Sequence, residues 1–175
     1  TRLGMAGTLA DFVLIDKDGA VKKGSEIDYN GAPGGYAADP TEVVNYVSKH
    51  DNQTLWDMIS YKAAQEADLD TRVRMQAVSL ATVMLGQGIA FDQQGSELLR
   101  SKSFTRDSYD SGDWFNRVDY SLQDNNYNVG MPRSSDDGSN YDIIARVKDW
   151  VATPGEAELK QMTAFYQELT ALRKS

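Results

Sequence analysis

The sequence predicts an α/β fold in which short buried strands alternate with amphipathic helices. Three observations indicate this class. Two short apolar stretches, Val43–Val47 and Ile89–Phe91, each end in a polar cluster. Between them, from Val73 to Leu85, apolar residues recur every three or four positions, as they do on one face of a helix. Strand, helix and strand in this order are typical of a parallel sheet.

The N-terminal part of the chain predicts a strand, a turn and a loop. Asp11 to Asp16 is apolar in its middle and fits a strand. Asp18-Gly19 follows as a hairpin-turn signal. The stretch from Asn30 to Pro40 is rich in Gly and Pro, which predicts a loop.

The first buried strand, Val43–Val47, leads into the polar segment 48–52. In barrels and open α/β sheets, the carboxyl ends of parallel strands are where chemistry is placed. From the residues alone, His50 and Asp51 have two interpretations. Either both belong to a functional site, or Asp51 caps the next helix and His50 makes its hydrogen bonds within the fold.

The helix between the two strands has start and stop signals. Asp70 or Thr71 is expected to cap its start, and Gly86 and Gly88 to end it. After the second strand, residues 100–140 are irregular and rich in Ser, Asp, Asn and Gly, and ordered loops of this length are usually functional. A last amphipathic helix is predicted over residues 156–172, after Thr153-Pro154.

Composition excludes several function classes. A net charge of −8 argues against a nucleic-acid partner, whose phosphates require a basic face. The chain has no Cys and one His, which excludes disulfides, cysteine nucleophiles and thiolate metal sites and disfavours zinc. Calcium, which takes oxygen ligands, remains open. No apolar run approaches the roughly 18 residues of a membrane-spanning helix.

The predicted elements also point to a larger fold. Two βα units cannot close a barrel, and two strands leave both edges of their sheet unpaired. We therefore expect the sequence to have been cut from within a longer chain.

Three long segments carry a resemblance to a known family. Residues 46–57 resemble the fourth sequence region of the α-amylase family of glycoside hydrolases; they are Tyr-Val-Ser-Lys-His-Asp-Asn-Gln-Thr-Leu-Trp-Asp. The full segment is similar to the longer form of this region that pullulanases have. Residues 91–102 are similar to the eighth-strand region of pullulanases, and residues 108–117 to the loop that follows it. The resemblance extends over essentially all 175 residues.

The resemblance implies a fold and its limits. The chain would be the C-terminal portion of a (β/α)8 TIM barrel, comprising the seventh and eighth βα units and a long loop after strand eight. All of residues 1–175 would belong to one catalytic domain, without the upstream strands or any C-terminal β-domain. The family's nucleophile Asp and acid/base Glu lie on the fourth and fifth strands. The isolated chain is therefore expected to be inactive, because the mechanism needs that pair.

The resemblance also implies roles for individual residues. Asp51 matches the transition-state stabiliser, the third essential carboxylate of the family. His50 matches the His that hydrogen-bonds the same sugar ring. Asp113 and Arg117 match a pair that holds the next sugar. For Trp114, a sugar-stacking platform and a structural support are both open.

The implied parent is a retaining hydrolase of α-1,6 branch linkages in pullulan, amylopectin and limit dextrins. Its partners would be α-glucans, including maltooligosaccharides, and the remainder of the same barrel. No metal is assigned to the site and no cofactor is required, although structural calcium in the parent is open. A secreted or cell-surface bacterial location follows from resemblance. The alternatives are another α-amylase relative, such as an isoamylase or an α-1,4-acting hydrolase, and a non-catalytic carbohydrate-binding or assembly fragment.

Overall fold

The computed structural model describes every residue from Thr1 to Ser175. The helices are α1 (Arg2–Met5), α2 (Leu55–Lys62), α3 (Leu69–Met84), α4 (Asp113–Asn116), α5 (Ser134–Asp137), α6 (Tyr141–Trp150) and α7 (Glu156–Lys174). The strands are β1 (Val13–Ile15), β2 (Val21–Lys23), β3 (Asp28–Tyr29), β4 (Ala32–Pro33), β5 (Val44–Asn45) and β6 (Ile89–Ala90). No helix combines the length and the apolar character that crossing a bilayer requires.

The chain forms two compact units. The first contains Thr1–Tyr46 and Ala81–Phe91, and the second contains Val47–Leu80 and Asp92–Ser175. The candidate site residues all belong to the second unit.

In the first unit, β1 and β2 form an antiparallel hairpin, as the sequence predicts. The Asp16 carboxylate organises its turn by accepting the backbone N–H groups of Asp18 and Ala20, each at 2.9 Å. Lys22 pairs with the same carboxylate at 2.7 Å. The Lys22 ammonium and these backbone donors lower the pKa of Asp16 to about 2.

The predicted loop from Asn30 to Pro40 is partly wrong, because a second hairpin uses its first residues. Strands β3 and β4 pair antiparallel around Asn30-Gly31. Both turn residues have positive φ, +54° and +85°, as the favoured two-residue hairpin turn requires. The Asn-Gly dipeptide is the feature of the sequence that could have indicated this turn.

Strands β5 and β6 pair in parallel, Val44 with Ile89 and Asn45 with Ala90, which confirms the predicted strand–helix–strand unit. Gly88 precedes β6 with a φ of +91°, and a Cβ there would lie only 2.8 Å from the Pro40 carbonyl oxygen. The expectation that these strands are buried is wrong in this chain. Val44 is 51% exposed and Ile89 is 49% exposed, since a two-stranded sheet leaves its edges and part of its faces uncovered.

The core of the second unit is built on helices α2, α3, α6 and α7. Its fully buried apolar side chains are Trp56, Val73, Leu80, Leu99, Phe104, Ile144, Val147, Leu159 and Met162. Arg72 is buried with them and donates to the carbonyl oxygens of Ala64 at 2.8 Å and Ala67 at 3.0 Å. These bonds satisfy carbonyl groups in the turn between α2 and α3.

The helix predictions are confirmed with adjusted ends. Helix α3 begins at Leu69, and its capping side chain is Asp68, which accepts the Thr71 N–H at 2.8 Å; Asp70 and Thr71 are therefore not the cap. The last predicted helix is α7, which runs on to Lys174. Residues 100–140 are irregular as predicted, apart from short helices such as α4 and α5. No bounds were predicted for helices α2 and α6.

Candidate active site

The loop that carries His50 and Asp51 is fixed on both sides. Before it, the buried Ser48 hydroxyl donates to Gln93 Oε1 at 2.6 Å. After it, Asn52 adopts a φ of +62°, and its side-chain oxygen accepts the Arg106 Nε–H at 3.2 Å. Helix α2 is capped by Thr54, whose hydroxyl accepts the Asp57 N–H at 3.2 Å. Asp51 is therefore not the cap of this helix, which leaves its carboxylate available to other groups.

Asp51 presents a charged carboxylate to solvent. Its side chain is 56% exposed, and Oδ1 lies 3.5 Å from His50 Nε2. The other oxygen, Oδ2, accepts a hydrogen bond from the Lys49 ammonium. This bond and the charge of Lys49 hold the pKa of Asp51 below its usual range. No pattern in the sequence marks Lys49 as the partner of this carboxylate.

Asp57, which follows this loop, is fully buried, and its carboxylate accepts hydrogen bonds from three groups of the segment 101–104. The donors are the Ser101 hydroxyl at 2.5 Å and the backbone N–H groups of Lys102 at 2.9 Å and Phe104 at 3.2 Å. Ser103 and Phe104 both have positive φ, +50° and +68°, which is costly for such residues. The Asp57 carboxylate therefore holds a strained turn, whose N–H groups converge on it as in a backbone nest.

Asp113, Trp114 and Arg117 come together on and just after the short helix α4. With Asn116, they line one open pocket of about 350 Å3. Trp114 is 64% exposed, and its indole N–H donates to the Val129 carbonyl oxygen at 3.2 Å. The ring is therefore fixed at one edge while much of its surface faces solvent.

Arg117 is oriented by two acidic residues that the sequence analysis did not single out. Its guanidinium contacts the carboxylates of Asp119 at 3.1 Å and Asp124 at 3.0 Å. Asp124 also accepts the Asn126 N–H at 2.8 Å, and the Asn126 side chain donates to the Trp114 carbonyl oxygen at 3.0 Å. The expected Asp113–Arg117 pair thus shares a pocket, while the ion pairs of Arg117 are with Asp119 and Asp124.

The pair His50 and Asp51, and the pocket at α4, each offer groups that can bind a polyhydroxylated ligand. An ionised carboxylate and an imidazole offer an acceptor and a donor to hydroxyl groups. An exposed indole and an oriented guanidinium offer an apolar face and a fixed set of donors. No group of three or more His, Asp or Glu side chains is arranged to hold a metal ion.

The residues of the candidate site differ in whether the sequence could identify them. The motif wording singled out His50, Asp51, Asp113, Trp114 and Arg117. Lys49 and Asp57 lie inside a quoted motif, but their partners are visible only in three dimensions. Arg106 reaches Asn52 across 54 positions of sequence, and no local pattern marks such a contact.

The chain is similar to proteins named pullulanase, which are glycoside hydrolases. Residues 122–175 match the profile of the family described as "Alpha-1,6-glucosidases, pullulanase-type, C-terminal". All 175 residues are 98% identical to a pullulanase of Klebsiella aerogenes and span 16% of its length.

Solved structures agree with the sequence comparison. The ligand-free pullulanase of Klebsiella pneumoniae is 98% identical and superimposes with a TM-score of 0.97 over 99% of this chain, which is 16% of that one. The same organism's pullulanase in complex with maltotriose gives a TM-score of 0.96 at the same identity and the same coverage of both chains. The chain thus spans about one sixth of the length of these relatives.

Proposed function

We propose that this chain is part of a pullulanase and that, within the whole enzyme, it contributes to hydrolysis of α-1,6 linkages in pullulan, amylopectin and limit dextrins. The observation that carries the proposal is 98% identity to a protein named pullulanase along all 175 residues. At that identity, nearly every side chain in the matched part of the relative is retained here. The maltotriose complex of a Klebsiella pneumoniae pullulanase supports an α-glucan as the ligand.

The proposal includes the place of the chain in the larger fold. The parallel pair β5–β6 would be the seventh and eighth strands of a (β/α)8 barrel, followed by the long loop 100–140. The exposed apolar residues Val44 and Ile89 support this, because a closed barrel covers one face of each strand with side chains of the other strands and the other face with helices. The remainder of the barrel is then the first partner of this chain.

In this proposal, Asp51 stabilises the transition state. Retaining glycosidases pass through an oxocarbenium-like state, in which hydrogen bonds to the sugar hydroxyl groups strengthen. A carboxylate that is already ionised and oriented stabilises that state with little reorganisation. Both properties fit Asp51, whose pKa is lowered by Lys49. His50, 3.5 Å from the Asp51 carboxylate, donates to the same sugar.

The pocket at α4 would bind the neighbouring sugar. Arg117, held by Asp119 and Asp124, supplies fixed donors, and Asp113 supplies an acceptor. Trp114 acts as a platform, since its exposed ring can lie against the apolar face of a sugar. Fixed side chains raise the rate by orienting the substrate before reaction.

The two carboxylates that break the glycosidic bond are assigned to segments upstream of Thr1. One is the nucleophile and the other is the acid/base, and retaining hydrolysis needs both on either side of the bond. No cofactor enters this chemistry. The parent enzyme is proposed to be secreted or attached to the cell surface of a bacterium.

Product analysis on pullulan tests the proposal. A full-length protein containing this sequence should release maltotriose, while the 175-residue chain alone should release no sugar. Panose as the product would indicate an α-1,4-acting relative instead. No hydrolysis of pullulan by the full-length protein would remove the proposal.

A further inference from the structure

Lys102 is a buried lysine without an ion pair. Its side chain is 1% exposed, although lysine is almost never fully buried unless it is paired. Its ammonium group donates to two backbone carbonyl oxygens, that of His50 at 3.0 Å and that of Arg106 at 3.5 Å. Neutral carbonyl groups compensate only part of the cost of burying a charge. The position of this ammonium group therefore calls for a reason other than stability.

The bond to the His50 carbonyl oxygen acts on the peptide group that joins His50 to Asp51. A peptide group is planar, so fixing its oxygen also fixes its N–H and the position of the Asp51 Cα, from which the side chain departs. The solvent-facing side of Asp51 has only Lys49 and His50, whose own side chains are exposed in whole or in part. Lys102 approaches the same peptide group from the buried side.

The backbone of Lys102 is itself held in place by a buried carboxylate. Its backbone N–H donates to the buried Asp57 carboxylate at 2.9 Å, and the next two residues have the strained positive φ described above. Burial lowers the pKa of the Lys102 ammonium, and the positive charge of Arg100 lowers it further. The carboxylates of Asp57, Asp107 and Asp51 act in the opposite direction and raise it. The ammonium group in turn contributes to lowering the pKa of Asp51.

We propose that Lys102 is a positioning residue, which fixes the His50–Asp51 peptide group so that the Asp51 carboxylate meets the sugar in its reactive orientation. The inference rests on the proposed function, because it assigns Lys102 a part in the same hydrolysis. Because Lys102 is buried, a sugar bound at the exposed side of Asp51 would not contact it. Lys102 acts through His50 and Asp51, and its effect should therefore be confined to the transition state.

Replacement of Lys102 by Met tests this in the full-length enzyme. Methionine keeps the length and apolar body of the side chain and removes the charge and the donors. The matched control is Lys148→Met, because Lys148 also donates to a backbone carbonyl oxygen, that of Gly130 at 3.2 Å, and burial also lowers its pKa. We expect Lys102→Met to lower kcat for pullulan by at least about tenfold with KM changed by less than about threefold. Lys148→Met should leave both within about twofold.

A double-mutant cycle with Asp51→Asn separates positioning from a structural role. If Lys102 acts through Asp51, then Lys102→Met should lower kcat by less than about twofold in the Asp51→Asn background. The same factor lost in both backgrounds would overturn the inference, and so would a kcat within twofold of the Lys148→Met control. A rise in KM alone would also overturn it, since it would indicate substrate binding.

A second variant covers a failure to fold, and the wild-type activity distinguishes failure of the proposed function from failure of the inference. If Lys102→Met does not accumulate as folded protein, Lys102→Gln is measured against the same thresholds. If the wild-type enzyme hydrolyses no pullulan, the proposed function fails. If the wild-type enzyme is active, Asp51→Asn lowers kcat as expected and Lys102→Met is unaffected, only the inference about Lys102 fails.

Discussion

The Asp57 carboxylate accepts the backbone N–H of Lys102 at 2.9 Å, although the two residues are 45 positions apart in the chain. Asp57 lies in the first turn of α2, directly after the loop of His50 and Asp51. Lys102 returns a hydrogen bond to that loop at the His50 carbonyl oxygen, 3.0 Å away. The two contacts join helix α2, the loop before it and the turn 101–104 into one connected structure. Changes at any of these points are therefore expected to affect Asp51.

Asp51→Asn in the full-length enzyme should lower kcat for pullulan by a factor on the order of 10² to 10³ or more, with the fold retained. The amide keeps the size of the side chain and removes the charge that stabilises an oxocarbenium-like state. Steady-state kinetics give kcat, and circular dichroism verifies the fold. Turnover close to that of the wild type would show that Asp51 has another role.

Lys49→Met should make activity more sensitive to acid. The pKa of Asp51 lies below its usual value chiefly because of the hydrogen bond from Lys49, so Asp51 stays ionised to lower pH in the wild type. Without Lys49, that pKa rises and Asp51 is protonated earlier as the pH falls. The measurement is the ratio of variant to wild-type kcat/KM across the acid range. The ratio should decrease as the pH falls; a constant ratio would contradict the assignment of Lys49.

Arg117→Ala should lower kcat/KM for pullulan by roughly 10- to 100-fold, because the neighbouring sugar loses the donors that orient it. Arg146→Ala is the matched control, since Arg146 lies on α6 and donates to the Asp142 carbonyl oxygen at 3.3 Å within its own helix. Initial rates at low substrate concentration give the comparison directly. Equal losses in the two variants would mean that the role of Arg117 in substrate positioning is wrong.

Asp57→Ala should destabilise the domain by roughly 3–5 kcal/mol, because buried N–H donors of the turn 101–104 lose their acceptor. Asp57→Asn, which keeps one oxygen acceptor, should lose less. Denaturant midpoints of the full-length enzyme report the difference. Asp18→Ala serves as control, since the Asp18 side chain makes an exposed pair with Lys17 and its backbone N–H is kept in the variant, and it should leave the midpoint unchanged. An unchanged midpoint for Asp57→Ala would contradict its role as an anchor.

Local periodicity predicted the elements that bury a regular apolar face. Helix α7 repeats Leu159, Met162 and Leu169 on its buried side, and it was predicted almost to its end. Helix α2 buries Trp56, Asp57 and Ser60, two of which are polar, so the apolar pattern of a helix is missing. Helix α6 buries only Ile144 and Val147, which is too short a pattern to identify a helix.

The candidate site shows the same difference between what is local in sequence and what forms only on folding. His50, Asp51, Asp113, Trp114 and Arg117 follow from motif wording, which is contiguous in sequence. The contacts that hold them follow from folding, because Lys102 reaches His50 across 52 positions and Ser101 reaches Asp57 across 44. Serine and lysine in an irregular segment usually face solvent. Their burial depends on the Asp57 carboxylate, whose partners no pattern in the sequence specifies.

The open strand pair β5–β6 also bears on how the chain behaves in solution. Tyr46 and Phe91 extend it with two rings that meet edge to face at 6.4 Å, and both rings are partly exposed. Unpaired backbone groups beside exposed apolar side chains are a template for adding strands from other molecules. Produced by itself, the chain is therefore expected to self-associate as its concentration rises. In the proposed barrel, neighbouring strands would pair with both edges, so co-production with a segment that supplies such strands should suppress the self-association.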